Sequence, residues 1–152
     1  MKRFKHVLTT TDLSPESFEA VGHAAELAAR DDAKLTICYV PPTMEMTYSH
    51  ITPTDEMLAM EAEIRGAAES QLGSWIDDNL GDTTTVSVLF GDGVPHEEIS
   101  RIASAEKADV IVMATHGLKG IAHTLLGSVT ERVIRNAPCP VLAVPPSEKG
   151  AK

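Results

Sequence analysis

The fold is decided at residues 109–136, which read DVIVMATHGLKGIAHTLLGSVTERVIRN. The run from Val110 to Met113 is apolar at every position, as is typical of a short strand buried on both faces of a parallel sheet. A glycine-containing loop follows this strand, and a helix is predicted from Ser128 to about Asn136. The stretch therefore predicts one strand–loop–helix unit of an α/β sheet.

The same alternation of strand and helix extends outward in both directions. Four more strands are predicted, at Val7 to about Thr11, Leu35 to Val40, Thr84 to Phe90 and Val141 to Val144. Helices are predicted to begin near residues 15, 55 and 95. This order favours a parallel, doubly wound sheet with right-handed crossovers. Sheets of this kind bind ligands beyond the carboxyl ends of their strands, at a switch in strand order.

Two helices carry clear signals of where they begin and which face they bury. Ser14 as N-cap, Pro15 at the first helical position and Glu16 in the first turn start the first helix, and Asp31-Asp32 ends it. The second helix, capped by Thr54 or Asp55, keeps an apolar stripe with a period of 3.6 residues. We expect its methionines to be core filler. The stripe comprises Met57, Met60, Ile64, Ala68, Leu72, Trp75 and Ile76.

Composition limits the possible classes of function. A chain of 152 residues corresponds to one domain, expected over residues 1–146 with a flexible tail at 147–152. The net charge of −9 argues against nucleic acid as a partner, because such binding depends on neutralising phosphates. Cys38 and Cys139 form no CxxC pair, so neither a zinc knuckle nor a dithiol redox site is indicated. No signal peptide or membrane span is predicted, which makes the cytoplasm the expected compartment.

The loop after residue 114 has the elements of a phosphate site. Gly117 permits positive φ and a close approach of backbone to a ligand. Gly127-Ser128 would begin a helix whose amides point at an anion, with hydroxyls from Ser128 and Thr130 adding hydrogen bonds. An ordinary strand–helix loop with a serine N-cap explains the same residues, and spacing alone leaves both interpretations open. Lys119 is either a phosphate contact or a solvated surface lysine.

Other ligand and catalytic motifs find little support. His116 and His123 have no acidic or cysteine partner at zinc-like spacing. The chain contains no P-loop, and Gly91-x-Gly93 lacks the third glycine of a dinucleotide fingerprint. It also contains no GxSxG elbow. No catalytic residue is predicted.

At this loop the chain resembles the nucleotide-binding branch of the universal stress protein family. That branch carries Gly-x-x-Gly, nine residues, and then Gly-Ser or Gly-Thr. Here the second glycine is Gly117 and the closing pair is Gly127-Ser128, while Ala114 stands at the first glycine position. The resemblance extends to Thr11-Asp12 near the start of the chain and to residues 93–99 and 139–144.

The resemblance implies a five-stranded parallel sheet of order 3-2-1-4-5 with helices on both faces. It implies ATP, accompanied by Mg²⁺ or Mn²⁺, as the ligand, and a homodimer formed through Val141 to Val144. The adenine end would lie near Thr10, Asp12 and Val40, with Asp12 either a turn residue or a ligand to adenosine or metal. The implied nucleotide-binding residues are Thr10, Asp12, Val40, Ala114, His116, Gly117, Lys119, Gly127, Ser128, Val129 and Thr130.

Three hypotheses of function follow. The first is an ATP-binding regulatory protein of stress physiology that is at most a slow ATPase. The second is an interaction protein of the same fold that holds no nucleotide and acts through its dimer surface, an alternative that Ala114 keeps open. The third is an enzyme that cleaves at the α-phosphate. Such enzymes carry a Ser-Gly-Gly loop after the first strand, whereas residues 9–12 here read Thr-Thr-Thr-Asp.

Overall fold

The computed structural model describes residues 3–41, 52–83, 85–116 and 126–147, in which strands and helices alternate. The helices are α1 (Pro15–Asp31), α2 (Asp55–Asn79), α3 (Pro95–Ala105) and α4 (Ser128–Asn136), and one 3-10 turn, Gly81–Thr83, follows α2. The strands are β1 (His6–Thr11), β2 (Lys34–Tyr39), β3 (Val86–Phe90), β4 (Val110–Ala114) and β5 (Val141–Val144). The predicted elements are all present, with strand ends shifted by one or two residues.

All five strands are parallel and lie in the order β3-β2-β1-β4-β5, which confirms the predicted topology. Val7 of β1 pairs with Leu35 of β2 on one side and with Val110 of β4 on the other. Strand order therefore reverses between β1 and β4. The carboxyl ends of these two strands, Thr11 and Ala114, are where a doubly wound sheet leaves a crevice for a ligand.

Each face of the sheet is covered by two helices. On one face, Val21, Ala24 and Ala28 of α1 pack with Leu72 of α2 against the central strands. On the other face, α3 contributes the predicted buried residues Ile99, Ile102 and Ala103, and α4 contributes Val133. Within the described residues, no helix is long and apolar enough to cross a membrane.

The start and end of α1 follow the predicted signals. Ser14 is the N-cap, and its hydroxyl accepts a hydrogen bond from the amide of Ser17. The helix ends at Asp31, and Asp32 takes the left-handed conformation that closes many helices. Asp31 also has a role that the sequence did not reveal, because its carboxylate accepts hydrogen bonds from the Phe4 amide and the Arg30 guanidinium.

The predicted burial of the α2 stripe is wrong for its first half. Met60 is 56% exposed and Ile64 is 46% exposed, and of the stripe only Ala68 and Leu72 are fully buried. Length explains the difference. A helix of 25 residues extends about 37 Å, whereas a five-residue strand such as β3 covers about 17 Å. The amino-terminal half of α2 therefore carries its apolar stripe past the end of the sheet.

Candidate functional site

The carboxyl end of β1 passes into α1 through a tight, hydrogen-bonded turn. The side-chain oxygens of Thr11 and Ser17 lie 2.8 Å apart, and Asp12 Oδ1 accepts a hydrogen bond from the Ser14 amide at 3.0 Å. Leu13 adopts a positive φ of 68°, which a side chain other than glycine seldom takes. Asp12 therefore acts as a turn residue, as one of its two interpretations predicted, at the end of β1.

The carboxylate of Asp12 also affects the end of the neighbouring strand. Burial raises the pKa of the Tyr39 hydroxyl, and the negative charge of Asp12 raises it further. Tyr39 is the last residue of β2 and packs edge-on against Phe90 of β3. Asp12 thus lies within electrostatic reach of the carboxyl end of β2, the end at which Val40 follows.

Two hydrogen bonds hold the start of α4 against the end of β4. The Gly127 amide donates to the Thr115 carbonyl at 2.6 Å, and the Thr130 hydroxyl donates to the Ala114 carbonyl at 2.8 Å. These contacts bring residues 127–130 to the carboxyl end of β4, where the resemblance placed them. Gly117, Lys119 and His123 lie outside the described residues.

The N-cap of α4 is Gly127, and Ser128 is the first helical residue. The expected serine N-cap is therefore wrong by one position, since Gly127 takes that place. Gly127 supplies no side-chain hydrogen bond to the first turn. The amides of the first turn of a helix have no partner within the helix, and together with the helix dipole they favour an anion. Ser128 is exposed at this position, and Val129 is half-buried.

Thr130 and Gly127, both expected to contact phosphate, also have structural roles at the end of β4. Thr130 is only 4% exposed, and its hydroxyl donates a hydrogen bond to the Ala114 carbonyl. The hydroxyl therefore has no second hydrogen to donate to a phosphate oxygen. A Cβ at Gly127 would lie 3.1 Å from the Thr115 carbonyl oxygen. A side chain at position 127 would therefore press on the end of β4.

The remaining expected residues line the same edge of the sheet. Thr10 and Val40 are half-buried at the ends of β1 and β2, and His116 Nδ1 lies 3.0 Å from the Thr115 hydroxyl. Gly91, which follows β3, lies close to Val40 at this edge. A Cβ at Gly91 would come within 2.9 Å of Val40 Cγ2, so Gly91 keeps room for the Val40 side chain.

The acidic and histidine side chains do not form a metal site of their own. No group of three or more His, Cys, Asp or Glu residues that could hold a metal ion occurs within residues 3–41, 52–83, 85–116 and 126–147. Asp12 directly follows β1, and Gly127, the N-cap of α4, provides no side-chain hydrogen bond.

The fold and this crevice define a doubly wound parallel α/β protein. The profile of the universal stress protein family matches residues 3–145, and the chain belongs to that family. Universal stress protein MJ0531 of Methanocaldococcus jannaschii is 34% identical over 146 residues, a match that covers 96% of this chain and 85% of that protein.

Solved structures agree with this assignment. The structure of hypothetical protein MJ0577 superposes with a TM-score of 0.82 at 26% identity and covers 97% of this chain and 99% of its own. A universal stress protein crystallised in complex with cAMP superposes with a TM-score of 0.62 at 29% identity, covering 96% of this chain and all of its own.

Proposed function

We propose that this universal stress protein binds an adenine nucleotide in the crevice at the carboxyl ends of β1 and β4 and acts as a nucleotide-dependent regulator. The observation that carries the proposal is the start of α4, whose N-cap Gly127 provides no side-chain hydrogen bond and which is held at the strand-order switch by the hydrogen bonds of Gly127 and Thr130. The similar protein that was crystallised with cAMP supports an adenine nucleotide as the ligand class.

The residues at the crevice fit such a ligand. The phosphates would lie against the amides of Ser128 and Val129, with Gly127 leaving the helix start open and Lys119 adding a positive charge. Thr130 serves as a positioning residue, because its hydroxyl is engaged with Ala114. The ribose would lie beside Ala114, His116 and Gly117. The side chain of Ala114 is only a methyl group.

The adenine end of the ligand would lie near Thr10, Asp12 and Val40 at the ends of β1 and β2. A divalent cation, Mg²⁺ or Mn²⁺, would be held mainly by the nucleotide's own phosphates, and the Asp12 carboxylate would help to hold it. We assign no chemical step to any residue. The protein is proposed to act by binding, with hydrolysis slow at most.

Isothermal titration calorimetry with ATP and Mg²⁺ tests the proposal. We expect saturable binding with one nucleotide per chain and a dissociation constant below the millimolar range. Since the same sample can be checked for folding by circular dichroism, a folded protein that gives no binding heat at millimolar ATP would refute the proposal.

The edge strand β5 favours a second candidate function, that of a nucleotide-free interaction protein that acts through a homodimer. In the described part of the chain β5 is an edge strand that pairs with β4, and its Leu142 is 48% exposed. An apolar strand left open at the edge of a sheet favours pairing with another chain. Absorbance and chromatography of the heat-denatured extract distinguish the two candidates, since the first expects a nucleotide to be released. Sedimentation that shows only monomer at micromolar concentration would count against the dimer.

A further inference from the structure

A groove runs along the solvent side of α1, where this helix meets α2. Its lining residues on α1 recur at helical spacing, so they share one side of the helix. Together with one aromatic residue of α2 they line a shallow depression of about 600 Å³ that is wide open to solvent. The residues that line this groove include Phe18, Glu19, Gly22, His23, Glu26 and Trp75.

One wall of the groove is a stacked aromatic pair. The rings of Phe18 and Trp75 lie 4.9 Å apart between centroids and are within 12° of parallel. Both side chains are half-buried, so the pair combines contact with the core and contact with solvent. Flat aromatic surfaces of this kind favour planar cations, and arginine more than lysine.

The rim of the groove is acidic. The Glu26 side chain is 83% exposed, and His23 Nδ1 lies 4.0 Å from one of its carboxylate oxygens. Glu19 accepts a hydrogen bond from the Ser147 amide at 3.3 Å. Among the described residues that line the groove, none is lysine or arginine. Two carboxylates beside an aromatic wall therefore favour a cationic occupant.

The floor of the groove is Gly22, in the interior of α1. Glycine weakens a helix interior relative to alanine, so a close packing partner is the usual reason for its presence. Here a Cβ at position 22 would meet nothing within 4 Å. Packing does not require this glycine, and the missing side chain leaves the floor open.

We propose that this groove docks an arginine side chain presented by an extended segment of a partner protein. The guanidinium plane lies against the Phe18–Trp75 wall, and its N–H groups donate to the carboxylates of Glu19 and Glu26. This surface is separate from the proposed nucleotide site and does not depend on it.

The chain carries a single tryptophan, so the fluorescence of Trp75 reports on the groove directly. The probe is acetyl-Gly-Gly-Arg-Gly-Gly-amide, titrated into the millimolar range at low salt. The matched control peptide carries citrulline, which has nearly the shape of arginine but no charge. We expect a saturable fluorescence change with the arginine peptide and none with the citrulline peptide.

Variants test the roles of the rim and the floor. Because exposed ion pairs are each modest, we expect the double variant Glu19→Gln, Glu26→Gln to weaken binding about tenfold. Gly22→Leu fills the floor and should abolish binding, while Gly22→Ala should raise the melting temperature. Circular dichroism checks that each variant folds.

Three results would overturn the proposal. Equal binding of the arginine and citrulline peptides would show that the positive charge of arginine does not contribute to binding. Unchanged binding by the double glutamine variant would show that the carboxylates of Glu19 and Glu26 do not contact the peptide. The third concerns a shortened chain that ends at Ser147. If only that chain responds to the peptide, the groove belongs to the chain's own residues 148–152 and not to a partner.

Discussion

Replacing Ser128 by aspartate should move fold stability and nucleotide affinity in opposite directions. Ser128 is exposed and is the first helical residue of α4. A carboxylate in the first turn of a helix interacts favourably with the helix dipole, which contributes about 0.3–1 kcal/mol at an exposed position. For a chain of this size that corresponds to a rise in melting temperature of up to about 4 °C.

The same carboxylate would face the phosphates of the proposed nucleotide. Two like charges about 4 Å apart repel by roughly 1 kcal/mol in water and roughly 4 kcal/mol near a protein surface. The affinity of Ser128→Asp for ATP should therefore fall by about fivefold to a thousandfold. Ser128→Asn, which adds similar bulk without charge, is the control and should bind within a few-fold of the unmodified chain.

Calorimetry with ATP and thermal unfolding on the same samples provide the two readings. If Ser128→Asp binds ATP as tightly as Ser128→Asn does, the phosphates do not lie at the start of α4. A loss of affinity accompanied by a lower melting temperature would instead attribute the effect to damage of the fold, and the electrostatic reasoning would be wrong.

Three further predictions concern the scaffold around the site. Thr130→Val removes the hydroxyl that bonds the Ala114 carbonyl and should cost about 1–3 kcal/mol in urea unfolding, whereas an unchanged midpoint would exclude that hydrogen bond. The hydrogen bond from Arg30, followed by the one from the Phe4 amide, lowers the pKa of the Asp31 carboxyl. The contribution of Asp31 to fold stability should therefore be complete above about pH 5. It should fade as the pH falls through the ordinary pKa of 3.8 toward the lower pKa of the folded protein. Asp31→Asn should accordingly flatten the loss of stability in acid, and an identical pH profile would contradict this. Burial raises the pKa of the Cys38 thiol to about 12, so Cys38 should resist a disulfide reagent at pH 8 until the protein unfolds, while rapid modification in the folded state would contradict its burial.

Local signals in the sequence predicted where the helices begin, because capping is a matter of neighbouring residues. Ser14, Thr54 and Pro95 all lie at the predicted helix starts. The burial of α2 was not predictable in the same way. The apolar stripe through Met60 and Ile64 has the correct period, but how far the sheet extends beneath it depends on strands elsewhere in the chain.

The sequence predicted where the described ends of the loop lie in the fold, but not the hydrogen bonds that they make. The spacing from Gly117 to Gly127-Ser128 identified the loop, and the strand order placed its ends at the β1/β4 crevice. Which hydroxyl faces a ligand is decided by tertiary contact. The Thr130 hydroxyl instead donates a hydrogen bond to a carbonyl of β4. A side chain at position 127 would crowd the Thr115 carbonyl, so Gly127 has a structural role whether or not a phosphate binds beside it.

A crystal structure of the protein grown with ATP and Mg²⁺ tests the central claim most directly. We predict nucleotide density at the carboxyl ends of β1 and β4, with phosphate oxygens within hydrogen-bond distance of the Ser128 and Val129 amides and the adenine beside Val40. Density at any other place, or a saturated crystal in which the start of α4 contacts only water, would contradict the account.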